Sequence, residues 1–146
     1  MGKVSIKGVA IGGVVDVVGS ALLGFPIILY ATSKVDFLSM PDAQRSVAIT
    51  AVVHRNVFLY GGELVAGLAC SVLGGYVAGW LAKHDELLNG GLSSFLCVAI
   101  GILMMLLGKG SDPVLVQVLM LLASPVLAVL GGELMRRQRQ RRLLAA

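Results

Sequence analysis

GGELVAGLACSVLGGYVAGWLA, residues 61–82, decides the class of this chain. With the apolar residues before it, it forms a run over 57–82, and about 20 apolar residues suffice to cross a bilayer. Gly67, Ser71, Gly75 and Gly79 recur every four residues, so they stack on one helical face. Ala66, Cys70, Gly74, Ala78 and Ala82 make a second small row beside it. Each interior Gly costs a helix in water about 0.5–1 kcal/mol relative to Ala. In lipid, helices associate by close packing, and flat small faces let their backbones approach. The stretch therefore reads as a membrane helix with two packing faces.

The rest of the chain agrees. Hydrophobic residues make up 57% of the 146 and charged residues 14%, against about 45–50% and about 25% in a typical globular chain. The mean hydropathy is +0.89. Three more apolar runs cover about 8–31, 87–108 and 114–135. The first contains Asp16 and exceeds the h-region of a secretory leader, so it reads as a permanent helix. The run over 87–108 carries Gly90, Ser94, Cys97 and Gly101 as another small-residue stripe, and Gly90, Ser94 and Gly101 join the expected packing residues. The fold expected is an all-α, single-domain integral membrane bundle of four transmembrane helices. Pro41 and Asp42 suit the first turn of a helix, so a short interfacial helix is expected between the first and second spans. Lys83-His84-Asp85-Glu86 and Lys109-Gly110-Ser111-Asp112-Pro113 read as turns, the first of them solvated.

Charge placement gives an orientation. The formal charge of +4 does not indicate nucleic acid, because the basic residues flank apolar runs. With four spans, Lys3, Lys7, Lys83 and the tail residues Arg136, Arg137, Arg139, Arg141 and Arg142 share one side; Lys34, Arg45, Arg55 and Lys109 share the other. The positive-inside rule then places both ends of the chain in the cytoplasm. The tail 136–146 reads as a membrane-surface anchor. Trp80 and Tyr76 fall at the cytoplasmic interface, and Phe58 and Tyr60 at the outer one.

Val72-Leu73-Gly74-Gly75 recurs as Val129-Leu130-Gly131-Gly132, and Gly12-Gly13 matches Gly90-Gly91. Two repeated helical hairpins would produce this pattern.

Two acids are candidate proton- or ion-binding groups. Asp16 shares a helical face with Gly12, Gly19, Ser20 and Gly24, so it points at protein rather than lipid. An intramembrane acid costs about 2.5–3.5 kcal/mol on insertion scales and marks a functional candidate. No Lys or Arg lies within an apolar core to neutralise Asp16, so it is expected protonated, hydrogen-bonded to Ser, Thr or backbone, or paired with an ion or another chain. Glu63 lies nearer the outer end of the second span, at a different depth, lining the outer half of a polar cavity shared with Asp16 or reaching toward headgroups or Arg55. Glu133 precedes Arg136 and Arg137 at the spacing of helical ion pairs. His54 and His84 fall on opposite sides, and both Cys residues lie inside apolar runs, so neither a metal nor a cofactor site is expected. No nucleophile–base pattern or phosphate-binding loop is present, so no enzyme is expected.

Gly74-Gly75-Tyr76-Val77-Ala78-Gly79, then a short polar turn, Asn89-Gly90-Gly91 and the basic tail, resembles a pattern in uncharacterised small four-helix bacterial membrane proteins. The resemblance implies four helices in a bacterial inner membrane and no assigned activity. Two functions compete. The first is a non-enzymatic component in the lipid bilayer, working by helix packing in a homo-oligomer or with another membrane protein. The second is a small proton- or cation-coupled transporter or channel using Asp16, with Glu63 as a second group.

Overall fold

The computed structural model describes residues 3–36, 40–108 and 112–145. Helix α1 is Ile6–Thr32, α2 Asp42–Arg55, α3 Val57–Ala82, α4 Glu86–Ser93, α5 Phe95–Leu106 and α6 Val114–Leu144. Helices α1, α3 and α6, and α4 with α5 taken together, are each long and apolar enough to cross a membrane. The protein is an all-α integral membrane bundle of four spans. In the connections, residues 37–39 and residues 109–111 of the expected second turn lie outside the described residues.

Local chemistry sets the boundaries. Ser5 caps α1, its Oγ accepting from the Gly8 N–H at 3.2 Å. Asn56 separates α2 from α3: its extended backbone ends one helix, and its Oδ1 accepts from the Phe58 and Leu59 N–H groups of the next. The helix expected between the first two spans is thus distinct, and it packs on α1 and α3. Lys83 closes α3 in the left-handed region at φ 60°, its N–H donating to the Gly79 carbonyl.

Three features depart from the sequence expectation. The third span is broken, with Ser94 between α4 and α5. Ser93 Oγ donates to the Gly90 carbonyl at 2.6 Å and Ser94 Oγ to the Gly91 carbonyl at 2.8 Å. Hydroxyls bonded back to the preceding turn bend helices, and Gly/Ser pairs are common kink sites. The basic tail is not a separate segment, because α6 continues through it to Leu144. Arg, Gln and Leu are strong helix formers, and nothing in RRQRQRRLL stops a helix. Glu86 belongs to α4 and is buried, so the turn before it is shorter and less solvated than expected.

Helix α3 is the hub, packing on α1, α2, α4 and α6. Its two small rows serve different neighbours. Gly74 meets α1, where a Cβ on Gly12 would stand 2.5 Å from the Gly74 carbonyl oxygen, and Cys70 packs beside Gly19. On the other row, a Cβ on Gly75 would overlap the Ala128 carbonyl of α6, and Gly79 lies against Glu86 and Gly132. Gly131 is likewise pressed on the Val72 carbonyl. The expected packing residues Ser71, Gly75, Gly79, Gly90 and Ser94 are all buried, and Gly101 faces Leu121. Gly67 is the exception, with nothing within 4 Å of a Cβ built on it.

The two repeated motifs meet each other, since α3 and α6 run parallel and cross at Gly75 and Gly131. The packing is not two-fold, however. An axis exchanging the hairpins would carry the α3–α4 contact onto an α6–α1 contact, and among the described residues no such contact of comparable extent forms.

Candidate functional site

The close approach of Gly12 to Gly74 brings one turn of α1 against α3 and delivers Asp16 to the bundle interior. Asp16 is 1% exposed. Ser71 Oγ stands 3.1 Å from its Oδ2 and 3.3 Å from its Oδ1. Ser71 Oγ is also 3.0 Å from Ser124 Oγ of α6. The Cys97 thiol of α5 lies beside Ser124, with Asp16 and Cys70 nearby. Four spans thus converge on one carboxyl group.

The chain Asp16–Ser71–Ser124 has a defined proton logic. A hydroxyl donates one hydrogen and accepts through its lone pairs. When Asp16 is ionised, Ser71 donates to it and Ser124 donates to Ser71. When Asp16 is protonated, it can donate to Ser71, and Ser71 then donates to Ser124. Both charge states are accommodated by turning two hydroxyls, without moving a helix. Among the described residues, no Lys or Arg is bonded to the carboxyl group. The break at Ser94 lies on the same level, since Gly13 packs against the Ser93 carbonyl and Leu96. Pro125, next to Ser124, lies inside α6. Interrupted helices expose backbone groups that a site at membrane depth can use.

Glu63 is not part of this cluster. It lies eight residues from Ser71, about 12 Å along α3. It lines a separate cavity of about 300 Å³ between α1, α2 and α3, with Ile28, Ser46, Ile49, Thr50, Val53 and His54. Its charged neighbours are Asp112 and His54 rather than Arg55. His54 Nε2 is 3.1 Å from Asp112 Oδ1, and its ring meets Tyr60 edge-on at 4.7 Å. This cluster fastens α2 to the start of α6. Among the described residues, no three His, Cys, Asp or Glu side chains gather as a metal site. Cys70 and Cys97 are free thiols.

No protein-family model, curated protein or solved structure matches the chain. The site therefore has to be read from its own chemistry.

At the end of the bundle that carries the start of α1 and the end of α6, here called the basic end, the arginines have unequal roles. Arg136 and Arg137 pair with Glu133 at 2.9 Å, as the helical spacing predicts. Arg139 pairs with the buried Glu86, and Tyr76 donates to Gln138. These contacts fix the extension of α6 to α3 and α4. Arg141 and Arg142 are exposed.

Asn89 is the residue that sequence reasoning missed. It is fully buried. Its Nδ2 lies within 3.1 Å of the Lys3, His84 and Asp85 carbonyls, and its Oδ1 accepts from the Ser5 N–H at 2.7 Å. It ties the approach to α1 to the turn between α3 and α4. The available signal was an uncharged polar residue beside Gly90-Gly91 at the start of an apolar run.

Proposed function

We propose that this protein is a small, non-enzymatic membrane carrier that binds a proton or a small cation at Asp16. The observation that supports the reading is the buried carboxyl group on a two-serine chain, without a basic partner among the described residues, at the level where the third span is broken. Burying such a group costs about 2.5–3.5 kcal/mol, and packing alone would not need an acid there. The break at Ser94 and Pro125 supply hinge points through which the far half can open toward Asp16 while the basic end stays closed. Glu63 is the second polar station, in its own cavity nearer the far end. The resemblance to small four-helix bacterial membrane proteins supports a bacterial inner membrane as its location, and the charge bias supports a cytoplasmic basic end.

The test is flux in proteoliposomes under an imposed membrane potential, read with a trapped pH dye and with alkali-cation tracers. The wild type is expected to exceed empty liposomes, Asp16→Asn to fall to their level, and Asp16→Glu to retain part of the flux. Wild-type flux equal to that of empty liposomes across the panel would end this reading.

A second reading keeps one observation of its own. Gly24, Gly61 and Gly67 face open space, and α5 has no buried residue. A second copy or another membrane protein would dock there, away from Gly75 and Gly79, which the chain's own helices cover. Crosslinking in native membranes tests it: Gly67→Leu removes a crosslinked species under this reading and changes nothing if the protein acts alone.

A further inference from the structure

The last turn of α3 and the extension of α6 border an open cavity of about 400 Å³, lined by Trp80, Lys83, Met135, Arg139 and Arg142. Trp80 and Lys83 lie three residues apart, as do Arg139 and Arg142, so each helix turns one face to the space. The lining divides by chemistry. Met135 is buried and Trp80 offers a half-exposed indole, making an apolar floor. Lys83 and Arg142 are exposed at the rim. Arg139 is already matched by Glu86, so the cavity keeps an excess of two positive charges.

The cavity lies where the apolar part of α6 gives way to its arginines, the depth at which lipid phosphates lie. Tryptophan is favoured at that depth because one end of its ring is apolar and the other is wet. A free phosphate would use the rim but not the floor. We infer that this cavity binds the headgroup of an anionic phospholipid, with the phosphodiester between Lys83 and Arg142 and the glycerol and upper acyl chain on Trp80 and Met135. Basic pockets between spans hold such headgroups by the same combination.

Trp80 is the single tryptophan of the chain, so its fluorescence reports this cavity alone. The protein is reconstituted in phosphatidylcholine vesicles containing equal mole fractions of brominated phosphatidylglycerol or brominated phosphatidylcholine. Brominated phosphatidylglycerol is expected to quench Trp80 more strongly. Lys83→Gln and Arg142→Gln should each lower the relative affinity roughly five-fold, the value of about one basic residue near the surface. Arg141→Gln, on the same helix but outside the cavity, should keep the preference. An unchanged Trp80 emission maximum in pure phosphatidylcholine vesicles establishes that each variant is folded. Equal quenching by the two lipids in the wild type overturns the proposal, as does a loss in Arg141→Gln as large as that in Arg142→Gln, which would assign the attraction to diffuse tail charge. Millimolar inorganic phosphate should leave the preference intact; its abolition would assign the cavity to a free anion instead.

Discussion

The half of the bundle between Asp16 and the basic end and the half beyond it contain similar residues but pack differently. In the first half, Gly8, Gly12, Gly13, Gly74, Gly75, Gly79, Gly90, Gly131 and Gly132 are buried. In the second, Gly24, Gly61 and Gly67 have no neighbour close enough to touch a Cβ, apolar side chains such as Phe58 and Leu22 are exposed, and α5 buries nothing. The difference teaches that a glycine brings two backbones together only when the facing helix offers small residues or bare backbone at the same level. Gly75 finds Ala128, and Gly12 finds Gly74. The small row of α3 continues to Gly67, but the α6 residue one turn beyond Ser124 is Met120, too large for close approach.

The sharpest way to break this comparison is to fill both halves alike. Gly75→Leu would drive a side chain into the Ala128 backbone, which cannot yield as a side chain can. The expected loss is at or beyond the top of the roughly 1–3 kcal/mol typical of overpacking. Thermal unfolding in detergent, followed by size-exclusion chromatography, should show little folded Gly75→Leu and near-normal Gly67→Leu. Equal damage from both would mean that the two halves are packed alike.

Asn89→Ala should have the next largest effect. It leaves the Lys3 and His84 carbonyls and the Ser5 N–H, all in part-buried hydrogen bonds, without their side-chain partner, at about 1–3 kcal/mol. Hydrogen exchange should speed up over the first turn of α1 and remain unchanged in α2. The smallest expected effect is that of Gly67→Ala, a stabilisation of at most about 1 kcal/mol from helix propensity. A clear destabilisation in the melting curve would show that Gly67 has a close neighbour after all.

Much of this arrangement was legible in the sequence. The second span runs over Val57–Ala82 as hydropathy placed it, and both small rows of α3 are contact faces along most of their length. The burial of Asp16 followed from the glycines on its face. Its partners did not, because Ser71 and Ser124 lie on other helices and only packing brings them together. The break at Ser94 was hidden because a hydrophobic window does not distinguish a straight helix from one bent by two serine hydroxyls. The extent of α6 was missed for a related reason: hydropathy marks where lipid ends, not where a helix ends. The different depths of Glu63 and Asp16 followed from antiparallel helices, but the shared cavity did not form, because α2 closes over Glu63 and gives it a cavity of its own.

The position of Ser124 bears on the order of assembly. A chain made from its N-terminal side presents α1 and α3 before α6 exists. Ser71 can reach Asp16 at that stage, and the Gly12–Gly74 contact can form. The second hydroxyl arrives only with the last span, which also brings Ala128 onto Gly75 and Arg139 onto Glu86. Until then the half-built bundle carries an acid with an unfinished polar surrounding and a row of uncovered glycines. Insertion of α6 is therefore the step that completes the polar cluster around Asp16 and the closed base together.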